Sequence, residues 1–289
     1  KMNKDALFLY GDYRTFDWCH PWYVNKLPKD MDIYISTYDT SYEQKTGEFR
    51  LDESGKWNWI EISKPPKPPH ELFPAYSEYS ITHTTQGINR KIFEDIFGSN
   101  LKDVHIEQRG FDEWTMFNQS PKMIGTTHFI IKHLQKIVNN ISYGGLDYKN
   151  IYILRLDCLP IDSKGKIFKF NLECKENVLY SQSMDDMDEW LFAHDLVFSG
   201  RANTVINWIK HLDAEKHYQP HKGLADATRE MVEKGLLKHK QLLSYQAEII
   251  RRAMVPYMSH CWEQNIYPIT ETFNGFINQC RETHYSISY

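Results

Sequence analysis

Three stretches of this sequence share one design, and the repeated design constrains the fold more than any other feature. Each begins as a short apolar run and continues at once into polar residues: "ALFLYGDYRTF" at 6–16, "MDIYISTYDTS" at 31–41 and "YKNIYILRLDCLP" at 148–160. Continuous apolar runs of this length are typical of strands that are buried on both faces of a sheet. The stretch "NVLYSQ" at 177–182 predicts a fourth strand.

Helical patterns lie between these strands. Residues 89–97 and 125–140 carry apolar side chains at helical spacing. Strands that alternate with helices predict an α/β fold of the Rossmann-like type, in which a mostly parallel sheet is flanked by helices. Ligands of such sheets bind beyond the carboxyl ends of the strands. The polar residues that follow each apolar run are therefore the first candidates for a site.

The rest of the chain predicts additions to one domain that spans residues 2–289. Residues 43–75 form an insertion that contains a β-hairpin at 48–62, with Trp57 and Trp59 on one face, and then a proline-rich loop. The hairpin is either a surface decoration or a flap on the acceptor side of a site.

The C-terminal part, residues 203–289, is predicted to be helical. Helical patterns cover 203–212, 223–235 and 238–255, and Gly235 and Pro256 end the last two.

Composition narrows the class of protein. The net charge of −4 and the pI of about 6.4 argue against a general nucleic-acid coat, which needs a basic surface. The five cysteines are odd in number and lack CxxC spacing, so a disulfide scaffold is not expected. No apolar run reaches roughly 18 residues, and we expect no signal peptide before the first strand. We expect a cytoplasmic protein without a membrane span, in the host cell if the source is viral.

The chemistry-bearing residues cluster after the apolar runs. Arg155 and Asp157 end the third run, where they are either a surface ion pair or the walls of a ligand site. A carboxylate at this position could hold Mn²⁺ or Mg²⁺ against phosphates, and the guanidinium could grip an anion directly. The first run is followed by four further candidates for binding the same ligand, namely Gly11, Asp12, Arg14 and Thr15. The fingerprints of dinucleotide-binding and P-loop proteins are absent.

Three further carboxylates complete the candidate set. After the second run, Thr37 and Asp39 could contact a nucleotide, although Asp39 could equally form a local turn. Asp195 interrupts the apolar stretch "LFAHDLVFSG" and is a candidate general base, because a carboxylate in such surroundings needs a partner. Asp186, in the acidic stretch before it, is a candidate acceptor-side residue together with the hairpin tryptophans. The histidines of "HLDAEKHYQPH" at 211–221 do not predict a zinc site, because Pro220 disturbs helical spacing there.

The motifs together resemble a group of phage, viral and bacterial glycosyltransferases with the GT-A fold. Members of that group have a Gly-x-x-Arg-Thr-Phe turn after the first strand, here "GDYRTF", and Thr-Trp-Asp after the second, here "TYD". The third strand ends in Arg-Pro-Asp, here "RLD", and a later "D-x-x-x-x-G" segment corresponds to 195–200. The resemblance covers roughly residues 6–40 and 120–212. In this chain Leu156 replaces the proline, and Arg155 stands where a DxD motif has its first carboxylate.

The resemblance implies a nucleotide-sugar donor, most simply a UDP-sugar, and a divalent metal held by Asp157. It implies a hydroxyl acceptor on a glycan, or alternatively on a hydroxymethylated base of phage DNA. Asp195 would act as the base if the reaction inverts the anomeric centre, and a retaining reaction would need no such base. Two other functions stay open at this point, namely a non-catalytic nucleotide-sugar-binding module and a nucleotidyltransferase.

Overall fold

The computed structural model describes residues 4–13, 16–39, 47–51, 57–61, 87–108, 126–144, 148–162, 167–182, 197–218, 222–242 and 245–249. The strands are β1 Ala6–Tyr10, β2 Asp32–Tyr38, β3 Gly47–Leu51, β4 Trp57–Glu61, β5 Leu101–Glu107, β6 Asn150–Arg155, β7 Cys158–Asp162, β8 Val178–Ser181, β9 Val197–Arg201, β10 Lys238–Gln241 and β11 Tyr245–Ile249. The helices are α1 Phe16–Tyr23, α2 Arg90–Phe97, α3 Thr126–Gly144, α4 Ala202–His211 and α5 Gly223–Glu233.

The central feature is a seven-stranded sheet with the strand order β10-β8-β9-β6-β1-β2-β5. All neighbouring pairs are parallel except those of β9, which runs antiparallel to both β6 and β8. The prediction of a mostly parallel sheet flanked by helices is therefore confirmed. Two smaller antiparallel pairs accompany the sheet: β7 with β11, and β3 with β4. The second of these is the predicted hairpin, in which Trp59 pairs with Phe49 and Trp57 with Leu51.

Alternate residues of the central strands fill two separate cores, as the period of a strand requires. One core contains Leu7, Leu9 and Ile35 beneath α1 and α2. The other contains Phe8 and Ile153 beneath α3, α4 and α5. All five residues of β1 are buried, because the strand lies between β6 and β2 and both of its faces are covered.

A buried hydrogen bond joins α4 to α5 over the second core. The indole Nε1 of Trp208 in α4 donates to the hydroxyl of Thr228 in α5 over 3.0 Å, and that hydroxyl donates to the carbonyl of Leu224 over 2.7 Å. The ring of Trp208 packs against Phe198 of β9, with centroids 4.7 Å apart and the ring planes inclined by 39°. The helix predicted over 223–235 is confirmed, and Gly235 ends it with a φ of +69°.

A buried polar network lies at the amino ends of the central strands. Tyr148 donates its hydroxyl proton to Asp32 over 2.8 Å, so the hydroxyl of Tyr34, 2.7 Å away, must donate to Tyr148. Lys4 lies 2.6 Å from the other oxygen of Asp32. The carboxylate is thus buried with both oxygens compensated, as a buried charge requires.

The helix predicted over 238–255 is wrong for the part that the structure describes. Residues Lys238–Gln241 form β10, parallel to β8, and Tyr245–Ile249 form β11, antiparallel to β7. None of the described helices is long and apolar enough to cross a membrane.

Candidate functional site at the strand ends

The strand order reverses at β1. From β1 the chain proceeds outward to β2 and β5 on one side, and only then returns to place β6 on the other side. The carboxyl ends of β1 and β6 are therefore the point where the order reverses, and ligands of open α/β sheets bind at this point. At these ends, Tyr10 of β1 is paired with Ser36 of β2 on one side and with Arg155 of β6 on the other.

Gly11 makes the turn out of β1. Its φ is +99°, a conformation that favours glycine, and a side chain there would meet no atom within 4 Å. The Gly11 N–H donates to the carbonyl of Ser36 over 3.1 Å, and the Thr37 hydroxyl donates to the Gly11 carbonyl over 2.7 Å. Thr37 is fully buried, so its hydroxyl ties the β1 turn to the end of β2. Asp12 follows and is half-buried.

The segment beyond the turn is anchored by α1. The helix begins at Phe16, whose N–H donates to the Tyr13 carbonyl over 2.7 Å, and the Tyr13 hydroxyl donates to Asp17. Burial, together with the charge of Asp17, raises the pKa of Tyr13 above its ordinary value. Burial also lowers the pKa of His20 to about 4, so this ring is neutral at pH 7. Tyr13 and His20 are therefore both uncharged at pH 7.

Arg155, Leu156 and Asp157 form the turn out of β6. The N–H of Leu156 donates to the Tyr10 carbonyl over 3.0 Å and extends the contact between β6 and β1 by one residue. Arg155 grips Asp157 with two parallel hydrogen bonds, Nε to Oδ1 at 3.0 Å and Nη2 to Oδ2 at 2.8 Å. The two side chains are 16% and 3% exposed, respectively, so this is a largely buried bidentate pair rather than a surface one.

Asp39 connects the end of β2 to two further elements through its backbone. Its N–H donates to the carbonyl of Glu107 at the end of β5, and its carbonyl accepts from Ile88 just before α2, both over 2.9 Å. The side chain is half-buried. Asp39 thus lies at the carboxyl ends of the strands with Gly11 and Thr37, as the sequence predicts.

A polar contact beneath β2 was not predicted. His133 of α3 is buried, and its Nδ1 lies 2.7 Å from the hydroxyl of Ser36. Its ring meets Tyr38 edge-on, with centroids 4.7 Å apart. The sequence does carry a signal for this contact, since His133 lies between Ile130 and Leu134 on the apolar face of its helix.

The described residues do not fit a divalent metal at Asp157. Mg²⁺ and Mn²⁺ prefer several oxygen ligands, whereas both oxygens of Asp157 already accept from a guanidinium. Among the described residues, no three His, Cys, Asp or Glu side chains are grouped so that they could hold a metal ion. The expectation of a metal on Asp157 therefore finds no support in the ligand set.

The histidine-rich segment behind α4 is also not arranged for a metal. The Nδ1 of His217 accepts from the N–H of Asp213 over 3.1 Å, so the ring proton is on Nε2, which faces Glu230 at 3.4 Å. The ammonium of Lys216 lies 2.6 Å from the same carboxylate. A ring protonated at Nε2 and a neighbouring ammonium both oppose a cation.

Several predicted site residues lie outside the described residues. These are Arg14, Thr15, Asp186 and Asp195. The roles predicted for them, and the acceptor-side role predicted for Trp57 and Trp59, stay predictions. The described part of the candidate site consists of Gly11, Asp12, Thr37, Asp39, Arg155 and Asp157.

No protein-family model matches the chain, and no curated protein sequence matches it. The chain is similar to two solved structures of the glycosyltransferase GlyE of Streptococcus pneumoniae TIGR4. The apo-form is 12% identical with a TM-score of 0.37, covering 83% of this chain and 45% of that chain. The second is also 12% identical, with a TM-score of 0.34, 82% coverage of this chain and 45% of that chain. The chain thus spans less than half the length of these structures.

Proposed function

We propose that this chain is a glycosyltransferase that moves a sugar from a nucleoside diphosphate sugar to a hydroxyl acceptor. The observation that carries the proposal is the meeting of the three motifs at the point where the strand order reverses. The Gly11 turn is hydrogen-bonded to Ser36 and Thr37 at the end of β2, and the turn that carries Arg155 and Asp157 is hydrogen-bonded to Tyr10, the residue before Gly11. These are also the motifs that resemble the GT-A glycosyltransferases.

The proposed chemistry is electrostatic stabilisation of the leaving group. Cleavage of the bond between sugar and diphosphate leaves negative charge on the diphosphate oxygens. A preorganised guanidinium stabilises charge that develops in the transition state, and Arg155 is held in one orientation by Asp157. Asp39 is our candidate for the residue that binds the ribose hydroxyls, because a carboxylate can accept two hydrogen bonds from a diol. Asp195 is our candidate for the base that deprotonates the acceptor if the reaction inverts.

We propose UDP as the donor's nucleotide and a glycan as the acceptor, with Asp186, Trp57 and Trp59 on the acceptor side. Indole rings are suitable platforms for a sugar face. The net charge of −4 favours a glycan over a modified base in DNA, because DNA binding depends on neutralising phosphates. If duplex DNA carrying hydroxymethylcytosine accepts the sugar, and the rate falls steeply with salt, the glycan assignment is wrong.

The test is release of nucleoside diphosphate from a panel of UDP- and GDP-sugars, measured with and without EDTA. We expect release from at least one donor, and its loss in Arg155→Ala but not in Arg201→Ala. Arg201 is a matched control, since it forms an ion pair with Glu176 over 3.4 Å and lies beside Asn150, at the opposite end of β6 from Arg155. Release of pyrophosphate from a nucleoside triphosphate would instead identify a nucleotidyltransferase. Binding of UDP without turnover of any donor would identify a binding module.

A further inference from the structure

We infer that the chain has a second binding site, for a small apolar molecule with an anionic head, near the amino end of β2. The site is an open pocket of about 290 Å³ between the segment 24–29, Ile33 of β2 and the end of α2. This volume is close to the lower limit for small-molecule sites, about 300 Å³. The inference goes beyond the proposed function and stands without it, since no residue of the described candidate donor site lines this pocket.

Most of the pocket lining is apolar. Ile33 of β2 and Phe97 of α2 are buried in the first core. Val24, Leu27 and Ile96 also line the pocket, and they are only partly buried where they pack against that core. A ligand that covers these three side chains removes apolar surface from water, which is worth roughly 25 cal/mol per Å². The body of the ligand is therefore aliphatic or aromatic.

The polar part of the lining carries a positive charge. It consists of Lys29, Asn25 and Asn100, so no described carboxylate lines the pocket. Lys29 is exposed, and within the described part of the chain it forms no ion pair. Side-chain amides can donate hydrogen bonds to a carboxylate, and an ammonium attracts one. The lining therefore selects an anionic head over a cationic one.

The acidic residues near the pocket do not neutralise this charge. Asp32 is buried and lies 2.6 Å from the ammonium of Lys4. Asp95 is held in an ion pair within α2. Asp30 follows Lys29 in the chain, but it is exposed and is not in ion-pair contact with its neighbour or with any other described residue. The ammonium of Lys29 is thus the charge that a ligand in the pocket meets first.

The end of α2 orients the ligand. The helix ends at Phe97, and the carboxyl end of a helix carries a partial negative charge. An anionic head is repelled from this end and attracted by Lys29 on the segment 24–29. We therefore place the head at Lys29 and the apolar body against Phe97 and Ile96.

The pocket is separate from the candidate donor site. Ile33 lies near the beginning of β2, whereas Asp39 follows the end of the same strand. At about 3.3 Å per residue, the two residues are roughly 20 Å apart. An anionic head bound at Lys29 is therefore remote from the strand ends where the sugar donor is proposed to bind.

The experiment compares three ligands that share one apolar chain and differ in charge. Octanoate, octanol and octylammonium are titrated calorimetrically into the wild-type chain at low salt, below the concentrations at which they form micelles. We expect octanoate to bind most tightly and octylammonium most weakly, because Lys29 attracts only the carboxylate. Added salt should weaken the binding of octanoate and leave that of octanol nearly unchanged, because salt screens exposed charges.

Variants test the charged and the apolar parts of the pocket separately. Lys29→Ala should weaken the binding of octanoate by roughly 2- to 5-fold, the range for an exposed ion pair. Lys29→Glu should remove the preference for octanoate over octylammonium. Lys234→Glu is the matched control, since Lys234 is also exposed but follows α5 on the other face of the sheet. Val24→Phe fills the pocket and should abolish the binding of all three ligands.

Several results would overturn the inference. Octanoate that does not bind, or binds no better than octylammonium, removes the anion selectivity. Equal effects of Lys29→Glu and Lys234→Glu show that only the net charge matters. Unchanged binding in Val24→Phe, with its folding confirmed by urea unfolding, places the ligand elsewhere. If that variant does not fold, the comparison of the two lysine variants decides, because exposed lysines are replaced without repacking. None of these measurements uses a sugar donor, so a failure of the proposed function leaves them unaffected.

Discussion

Replacing Thr37 by valine removes a single hydroxyl that connects the fold to the candidate site. Thr37 is fully buried, and its hydroxyl donates to the Gly11 carbonyl over 2.7 Å. Valine keeps the shape of the side chain, so no cavity forms and the loss is confined to the hydrogen bond. A typical net contribution is about 0.5–1.5 kcal/mol, and a buried acceptor left unsatisfied raises the cost to about 1–3 kcal/mol. We therefore expect Thr37→Val to lower the free energy of unfolding by about 1–2 kcal/mol.

The assay is urea unfolding followed by titration with UDP in the folded range. Thr228→Val is the matched control, because Thr228 is also fully buried and its loss leaves the Trp208 indole without its 3.0 Å partner. The two variants should lose similar stability. Only Thr37→Val should lose affinity for UDP, because only Thr37 holds the Gly11 turn at the strand ends.

Two outcomes would refute this reasoning. If Thr37→Val unfolds at the same urea concentration as the wild type, the hydroxyl does not satisfy the Gly11 carbonyl in solution. If both variants lose stability but neither loses affinity for UDP, the Gly11 turn is not a wall of the donor site.

Other predictions concern regions away from the candidate site. Tyr148→Phe should destabilise the chain more than Tyr34→Phe, by roughly 1 kcal/mol in urea unfolding, because Tyr148 donates to the buried Asp32 carboxylate whereas Tyr34 donates to Tyr148. Equal losses would contradict the order of donors in this network. The contact with Lys216 lowers the pKa of Glu230 to about 2 from its ordinary 4.5. A lowered carboxyl pKa stabilises the fold fully above pH 4.5, and this contribution is lost as the pH falls towards 2. The stability difference between wild type and Glu230→Gln should shrink over that window in acid-unfolding curves.

The central strands could be predicted because each carries its own local signal. The apolar runs at 6–10 and 151–154 are too short for helices and too continuous for exposed strands, and the structure pairs them directly. The strands β10 and β11 could not be predicted in this way. The lysines and glutamines in them favour a helix locally, but pairing with β8 and β7 decides their conformation. Such pairing depends on partners far away in the sequence.

The site could be predicted in position but not in its internal contacts. Polar residues after parallel strands must lie at one edge, and Gly11, Asp39 and Arg155 do so. Spacing alone does not show whether Asp157 faces a ligand or its neighbour two residues back. The burial of the pair and its bidentate geometry decide that, and both depend on how the turn after β6 packs.

The central place of β1 has a consequence for synthesis of the chain. One edge of β1 can pair with β2 soon after translation, but its other edge pairs with β6. The hydrogen bond from Asn150 to Asp5 at the start of that pair spans 145 residues. At roughly 5–20 residues per second, β1 waits on the order of 7–30 s with an unpaired apolar edge. An open edge of this kind is a template for pairing with another chain. Nascent chains stalled before Asn150 should therefore aggregate or recruit chaperones, whereas those stalled well after Arg155 should not.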